Sequence, residues 1–177
     1  LTRRDVTVAL YRLAGSPKVE LPATSPYADV ATSDPDYAAY IWARQKGITF
    51  GWIDGKFHPE VKLSAPSTVA FLYRYQKAMG QAIPKAPTSP SLPKSSSLPG
   101  NNDALRSTTG WEHKALKGAA FWSEVQWAVD HRVWGYAVWD HGVDKEHVYE
   151  GFDYSFVSSG DLALMLYRME HGGSHLK

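Results

Sequence analysis

A twelve-residue phrase that occurs three times most constrains how this chain can fold. The copies are LTRRDVTVALYR (1–12), LSAPSTVAFLYR (63–74) and VSSGDLALMLYR (157–168). In each copy an apolar residue precedes Thr or Ser, whose hydroxyl oxygen can accept a hydrogen bond from a free amide of a first helical turn. The phrase therefore predicts three helices with hydroxyl N-caps. The predicted first helical residues are Arg3, Ala65 and Ser159, and the predicted caps are Thr2, Ser64 and Ser158.

Behind each predicted cap, mostly apolar residues recur at i, i+3, i+4 and i+7, the spacing of one face of an α-helix. The positions are Val6/Ala9/Leu10/Leu13, Thr68/Phe71/Leu72/Tyr75 and Leu162/Met165/Leu166/Met169. Three copies of one amphipathic helix imply a repeat architecture. We expect the leucine of each repeated Leu-Tyr-Arg to be buried, and its arginine to serve as a cation near a helix C-terminus. These leucines are Leu10, Leu72 and Leu166.

Composition excludes several classes of protein. The 177 residues provide one ordinary domain or two small ones, with 44% hydrophobic residues and a net charge of +1. That charge does not suggest a nucleic-acid partner or a membrane surface. No apolar run approaches the roughly 20 residues that span a bilayer. Cysteine is absent, which excludes disulfides, thiolate catalysis and zinc–thiolate sites.

The order of motifs predicts three parts. Residues 1–80 contain a closing helix and one full helical unit; residues 81–118 form a Pro/Ser-rich linker or an ordered crossing segment; residues 119–177 contain a degenerate second unit. Within the first unit, a helix follows a cap at Ser33 or Asp34 and runs to Lys46. The dipeptide Asp54-Gly55 then predicts a tight turn in which glycine adopts positive φ.

The first unit resembles one repeat of the S-layer homology (SLH) family. The resemblance rests on YADV (27–30), YIWARQKGITFGWIDGKFHP (40–59) and the phrase at 63–74. These match the family's aromatic-x-Asp-Val start, Trp-Ala helix, Gly-Ile-x-x-Gly turn, Asp-Gly-x-Phe-x-Pro segment and closing helix. Residues 1–15 resemble the closing helix of a preceding repeat. Residues 119–171 resemble a repeat more weakly, because FWSEVQWAVDHRVWGY (121–136) keeps Trp-Ala and the glycine but lacks the Asp-Val start and the Asp-Gly turn.

The resemblance implies a mainly α fold, an incomplete pseudo-threefold bundle of SLH-like helical repeats with long Pro/Gly-rich loops and at most short strands. It implies a non-catalytic, extracellular module that binds a cell-wall polysaccharide of a Gram-positive bacterium and tethers a larger protein. Family members bind this glycan through an arginine, an aspartate and a tryptophan. Carried over by position, the ligand-binding candidates are Arg3, Asp29 and Trp42, and Asp54 of the Asp-Gly turn is a fourth candidate.

Other readings of the same residues stay open. Asp29 and Asp54 can instead satisfy turn amides, as short Asp side chains do. Ala65 and Ser159 stand where the first phrase has Arg3, so at most one family-like groove is expected. The whole chain can also be a structural or protein-interaction module that packs on a neighbouring domain of its parent protein.

A catalytic or metal-dependent function has little support in the sequence. Asp140, His141, Asp144 and His147 are metal-ligating residue types. The histidines are six residues apart, outside the i, i+4 geometry of a metalloprotease pair, and we expect a polar surface loop there. A metal-assisted hydrolase using this cluster is a distant alternative. We predict no enzyme activity, no bound metal, no cofactor and no membrane insertion.

Overall fold

The structure is a computed structural model that describes residues 1–80, 123–124, 127–128, 131, 133, 136–139, 147–150 and 156–171. The chain divides into two compact units, Leu1–Ala82 with Ser155–Leu162, and Ile83–Tyr154 with Ala163–Lys177. The described residues are mainly helical, as predicted, with one short pair of strands. The predicted linker or crossing segment at 81–118 lies outside the described residues.

Helices α1 (Arg3–Leu13), α3 (Ala65–Met79) and α4 (Ser159–His171) begin at the three predicted residues. Helices α1 and α3 each end just before a glycine. Gly15 (φ 83°) and Gly80 (φ 65°) adopt the left-handed conformation that ends a helix. The three predicted helices are therefore confirmed.

Helix α2 (Tyr37–Gln45) begins later than the sequence predicted. The carboxylate of Asp34 accepts a hydrogen bond from the N–H of Asp36 (2.8 Å), which closes a turn before the helix instead of capping its first turn. Asp36 is the N-cap and makes no side-chain cap bond. The helix ends one residue before the predicted Lys46, and Gly47 follows with φ 69°.

The starts of the three repeated phrases meet in a closed ring of backbone hydrogen bonds. The N–H of Leu63 donates to the carbonyl of Leu1 (3.1 Å), and the N–H of Val157 donates to that of Leu63 (3.1 Å). The backbone nitrogen of Leu1 completes the ring by donating to Val157 (2.5 Å). Each of these three equivalent residues thus donates to one of the other two and accepts from the remaining one. All three lie in the first unit.

Two of the three N-caps form the same reciprocal capping box. In α1 the N–H of Asp5 donates to Thr2 Oγ1 (3.2 Å), and the Asp5 carboxylate accepts from the N–H of Thr2 (2.8 Å). Ser158 and Asp161 repeat this pair of bonds in α4 at 3.2 Å and 2.8 Å. The backbone bond from Thr2 holds the pKa of Asp5 below its usual value. The stabilisation that the ionised Asp5 carboxylate gives is therefore present at neutral pH, and it is lost as the pH falls through that lowered pKa.

The third cap, Ser64, has no side-chain cap bond, because its hydroxyl lies 3.3 Å from that of Ser67 and not on a backbone amide. We expect Thr2→Ala to lower the free energy of unfolding by about 1 kcal/mol. Ser64→Ala, the matched control, should lower it by much less. Urea denaturation of the two variants checks this, and equal losses would show that the capping box of α1 adds nothing.

The core of the first unit is aromatic and aliphatic. Leu10 and Leu72 are fully buried, as predicted. The aromatic part centres on Phe57, whose ring stacks on Tyr40 at 4.3 Å and meets the edge of Tyr27 at 5.2 Å. The predicted burial of Leu166 is wrong, because this residue is only half-buried while Met165 and Met169 are buried in α4. Leu13, the last residue of the apolar face of α1, is 55% exposed because the helix ends there.

The arginines that follow these leucines take three different environments. Arg12 is exposed, and Arg74 donates from Nη1 to the carbonyl of Ile48 (3.4 Å). Arg168 is buried, and burial lowers the pKa of its guanidinium. The repeated Leu-Tyr-Arg therefore does not give these arginines one shared role.

The second unit repeats a backbone pattern of the first. The N–H of Lys46 bonds to the carbonyl of Trp42 (2.9 Å), and that of Ile48 to Ala43 (2.9 Å). The matching bonds of the second unit, His131 to Trp127 and Val133 to Ala128, measure 3.0 Å and 2.8 Å. This internal likeness agrees with the alignment of Trp127-Ala128 on Trp42-Ala43.

Two short strands, β1 (Tyr136–Trp139) and β2 (His147–Glu150), form an antiparallel pair in the second unit. Tyr136 pairs with Glu150 and Trp139 pairs with His147. Among the described residues, no helix is long and apolar enough to cross a membrane.

Candidate functional site

Three exposed apolar residues of the first unit are close together in sequence in the turn between α2 and α3. Phe50 is 63% exposed, Trp52 50%, and Ile53 is fully exposed. Glycines at both ends of this turn allow its path, because Gly51 (φ 84°) and Gly55 (φ 75°) adopt positive φ. The N–H of Gly55 bonds to the carbonyl of Trp52 (3.1 Å), so the predicted Asp-Gly turn is confirmed.

A polar pair fixes the indole ring of Trp52 at this turn. The ring of His58 lies 4.3 Å from that of Trp52, centre to centre. His58 Nε2 donates to Asp54 Oδ2 (2.6 Å), and Asp54 Oδ1 accepts from the N–H of Lys56 (3.0 Å). Desolvation acts to raise the pKa of Asp54, but the bonds from His58 and Lys56 outweigh it and hold that pKa below its usual value.

The backbone of His58 is held in an uncommon conformation, with φ 57°. A non-glycine residue with positive φ costs free energy, and it persists only where its surroundings determine it. Here the carboxylate of Asp29 provides that support, because it accepts the N–H groups of Phe57 (2.7 Å) and His58 (2.8 Å). Asp29 therefore satisfies turn amides, which was the alternative to ligand binding for this residue.

Arg3, one of the four ligand-binding candidates, has a buried side chain. Its guanidinium carbon lies 5.1 Å from the centre of the Phe57 ring and 5.2 Å from that of Phe71. Nη2 donates to the hydroxyl of Thr49, and Nε is buried with no hydrogen-bond partner among the described residues. Burial lowers the pKa of Arg3 to about 10, and the group stays protonated at neutral pH.

The position of Arg3 limits what a variant there can report. A cation over two aromatic faces gains attraction that offsets part of its desolvation. Removal of this side chain would leave a void between Phe57 and Phe71 in addition to removing charge. Loss of binding in Arg3→Ala would therefore mix a packing effect with any loss of ligand contact.

Trp42 lies in the core, 2% exposed, with its ring 5.5 Å from that of Tyr11 and 6.3 Å from that of Tyr75. An indole this buried has no free face for a sugar. The prediction that Trp42 lines a surface groove does not agree with this burial.

The structure thus brings three of the four predicted residues around Phe57 and His58, and leaves Trp42 apart. Arg3 lies over the Phe57 ring, and Asp29 and Asp54 hold the backbone and side chain of His58. Sequence reasoning missed Trp52 and His58. A usable signal was present, because Phe50, Trp52 and Ile53 are large apolar residues inside a Gly/Asp turn, where little core is available.

A second feature of the same unit is an open cleft of about 570 Å³. One wall is the segment that connects α1 to α2, and the other is the C-terminal half of α2 together with the side chain of Phe50. The lining includes Leu21, Pro22, Pro26, Ile41, Arg44 and Phe50. This volume lies in the range of small-ligand and peptide side-chain sites.

No group of three or more His, Asp or Glu side chains that could hold a metal occurs among the residues that the structure describes. Asp140, His141 and Asp144 lie outside those residues, and His147 begins β2. No protein-family model, no curated protein and no solved structure matches the chain. Its place in the SLH family, and the binding roles of the four candidate residues, stay predictions.

Proposed function

We propose that this chain is a non-catalytic cell-wall attachment module that binds a polysaccharide at the surface of a Gram-positive bacterium and tethers a larger extracellular protein. The binding surface is the turn that carries Trp52, Asp54 and His58, which we name the Trp52 turn. This function rests on the SLH-like motifs and on one geometric feature, the half-exposed indole fixed beside a histidine–carboxylate pair.

The chemistry of the Trp52 turn suits a sugar. A pyranose ring has an apolar C–H face that packs on an indole, and hydroxyls around its rim that need hydrogen-bond partners. Asp54 and His58 lie beside the indole. The Asp54 carboxylate provides an anionic acceptor, and the Nε2–H of His58, which donates to this carboxylate, holds it in place. Charge-assisted hydrogen bonds are the stronger ones, so an ionised Asp54 is a good hydroxyl acceptor.

The turn is also held in place before any ligand arrives. The N–H of Trp52 bonds to the carbonyl of Lys56 (2.8 Å), and Asp29 fixes the backbone of His58. A site whose side chains are already positioned loses less conformational entropy when it binds. Asp29 accordingly has a positioning role in this proposal, and Arg3 supports the Phe57 ring from inside.

Co-sedimentation with purified cell walls tests this function. We expect the wild-type chain to sediment with native walls and to stay in solution with walls stripped of their non-peptidoglycan polymers. Trp52→Ala should weaken binding roughly tenfold, because it removes the stacking face. The melting temperature should change little, because the indole is half-exposed.

Arg12→Ala is the matched control, because Arg12 is an exposed residue of α1, outside the Trp52 turn. It should bind as the wild type does. If Trp52→Ala sediments as well as the control, the Trp52 turn is not the binding surface. If the wild type never sediments, the polysaccharide function is wrong.

A structural or protein-interaction module is the second candidate. The fully exposed Ile53 favours it, with Phe50 nearby in the same turn, because aliphatic side chains bind neighbouring protein surfaces better than they bind sugars. Ile53→Ser separates the two functions. It should leave sedimentation with cell walls unchanged if the turn binds glycan, and it should weaken packing on the neighbouring domain of the parent protein if the turn is a docking surface.

A further inference from the structure

The segment that connects α1 to α2 accepts side-chain hydrogen bonds from both helices through its carbonyl groups. It runs from Ser16 to Pro22 without a turn or bend. The carbonyl of Pro17 accepts from the hydroxyl of Tyr11 (2.9 Å), and that of Glu20 accepts from Gln45 Nε2 (3.1 Å). The hydroxyl of Tyr37 donates to the carbonyl of Pro22 (3.4 Å).

The N–H of Ser16 bonds to the carbonyl of Tyr11 (3.0 Å), but the N–H groups that follow it in this segment have no partner among the described residues. Within the described residues, no hydrogen bond uses the N–H of Val19, Leu21 or Ala23. Two of these unpaired donors, those of Val19 and Leu21, lie on the unbent stretch, and that of Ala23 lies at the bend that follows it. A row of unpaired backbone donors of this kind is a template for a further strand. An extended peptide that binds there would gain main-chain hydrogen bonds without any rearrangement of the segment.

The cleft adjoins this segment at Leu21, one of the three donor residues. Leu21 belongs both to the segment and to the cleft, and its side chain is 49% exposed. Phe50, on the opposite wall, is 63% exposed. A peptide strand along the segment would have alternate side chains on the cleft side, where an aliphatic side chain could cover Leu21 and Phe50.

The charge around the cleft favours an acidic peptide. Arg44 donates from Nη1 to the carbonyl of Phe50 (3.0 Å), and its guanidinium carbon lies 5.6 Å from the centre of the Tyr27 ring. Arg44 makes no ion pair with any carboxylate among the described residues. Lys18 and Lys46 are exposed nearby in sequence, against the single carboxylate of Glu20 in the lining.

We propose that residues 17–24 and the adjoining cleft form a docking site for an extended acidic peptide of a partner protein, which adds a strand to this segment. The unpaired N–H groups supply main-chain bonds, the Leu21–Phe50 cleft takes an aliphatic side chain, and Arg44 pairs with a carboxylate. The site is separate from the Trp52 turn, and this inference does not rest on polysaccharide binding.

Selection of a phage library of random linear peptides on the immobilised full chain tests the proposal. We expect enriched peptides to contain Asp or Glu next to or two residues from Val, Ile or Leu, with no basic consensus. The enriched peptide is then synthesised with a fluorescent label and titrated by anisotropy. Arg44→Gln should weaken its binding roughly fivefold, and the loss should shrink at high salt.

Ala23→Pro removes one of the unpaired donors at an exposed position. We expect it to weaken binding about fivefold, whereas Ala23→Ser, which keeps the N–H, should bind as the wild type does. Amide hydrogen exchange of the wild-type chain gives a readout that needs no variant. The N–H groups of Val19, Leu21 and Ala23 should exchange more slowly when the peptide is bound.

Three results would overturn the proposal. One is that no peptide is enriched. Another is that the enriched peptide binds but leaves exchange at Val19, Leu21 and Ala23 unchanged, which would mean an apolar side-chain site without strand addition. The third is concentration-dependent dimerisation that protects the same amides without peptide, which would make a second copy of this chain the occupant.

Discussion

Replacement of Leu10 or Leu72 by alanine should lower the free energy of unfolding by about 2–5 kcal/mol. Both side chains are fully buried, one in α1 and one in α3, at equivalent positions of the repeated phrase. Truncation removes apolar area from a packed core and leaves a cavity that the surrounding helices refill only in part. Urea unfolding should show a lower midpoint with an unchanged slope.

Two leucines of the same faces are matched controls. Leu13 is 55% exposed at the end of α1, so Leu13→Ala should change the free energy of unfolding by less than about 0.5 kcal/mol. Leu166 is the repeat equivalent of Leu10 and Leu72 but is half-buried, so Leu166→Ala should fall between the two extremes. If all four variants melt alike, the buried faces of α1 and α3 do not form the stabilising core.

The sequence predicted the helix starts well, because a cap is decided by neighbouring residues. A hydroxyl residue and an apolar period are both local, and they placed the starts of α1, α3 and α4 at the observed residues. The start of α2 was missed because Asp34 bonds to the N–H of Asp36 and forms a turn. Both uses of a carboxylate are common, and local sequence does not decide between them.

Features that join distant segments could not be predicted in the same way. The ring of bonds through Leu1, Leu63 and Val157 joins backbone groups that are far apart in sequence. The repeated phrase predicts equivalence of these positions, but not that their starts meet. Similarly, the first residue of a helix can face solvent, but Arg3 is buried against the rings of Phe57 and Phe71, which are far from it in sequence.

In the candidate site, too, local features could be predicted and features that depend on the packing of distant segments could not. Asp29 and Asp54 were singled out from their turn motifs, and both accept turn amides in the structure. Trp42 became a candidate because the resemblance supplied a helix tryptophan, and Trp52 was not considered. In α2, Trp42 lies next to Ile41 among buried residues. Burial periodicity would have assigned Trp42 to the core and left Trp52 as the exposed aromatic residue.

Gly51→Ala should destabilise the first unit by roughly 2–5 kcal/mol. Gly51 has φ 84°, a conformation that costs an alanine about 1–2 kcal/mol. An added Cβ would also lie 2.6 Å from the carbonyl oxygen of Lys56 and 2.8 Å from the ring of Tyr27. Neither neighbour can move freely, because Lys56 accepts the N–H of Trp52 and Tyr27 is buried. Overpacking of this kind adds about 1–3 kcal/mol.

Gly55 is the control that separates the backbone cost of such a substitution from its steric cost. It lies in the same turn with φ 75°, but a Cβ added there meets nothing within 4 Å. Gly55→Ala should therefore show the backbone cost alone, about 1–2 kcal/mol. Thermal and urea unfolding of the two variants measure the difference. A loss in Gly51→Ala no larger than in Gly55→Ala would mean that the ring of Tyr27 yields, and that the Trp52 turn is not held against the core by this contact.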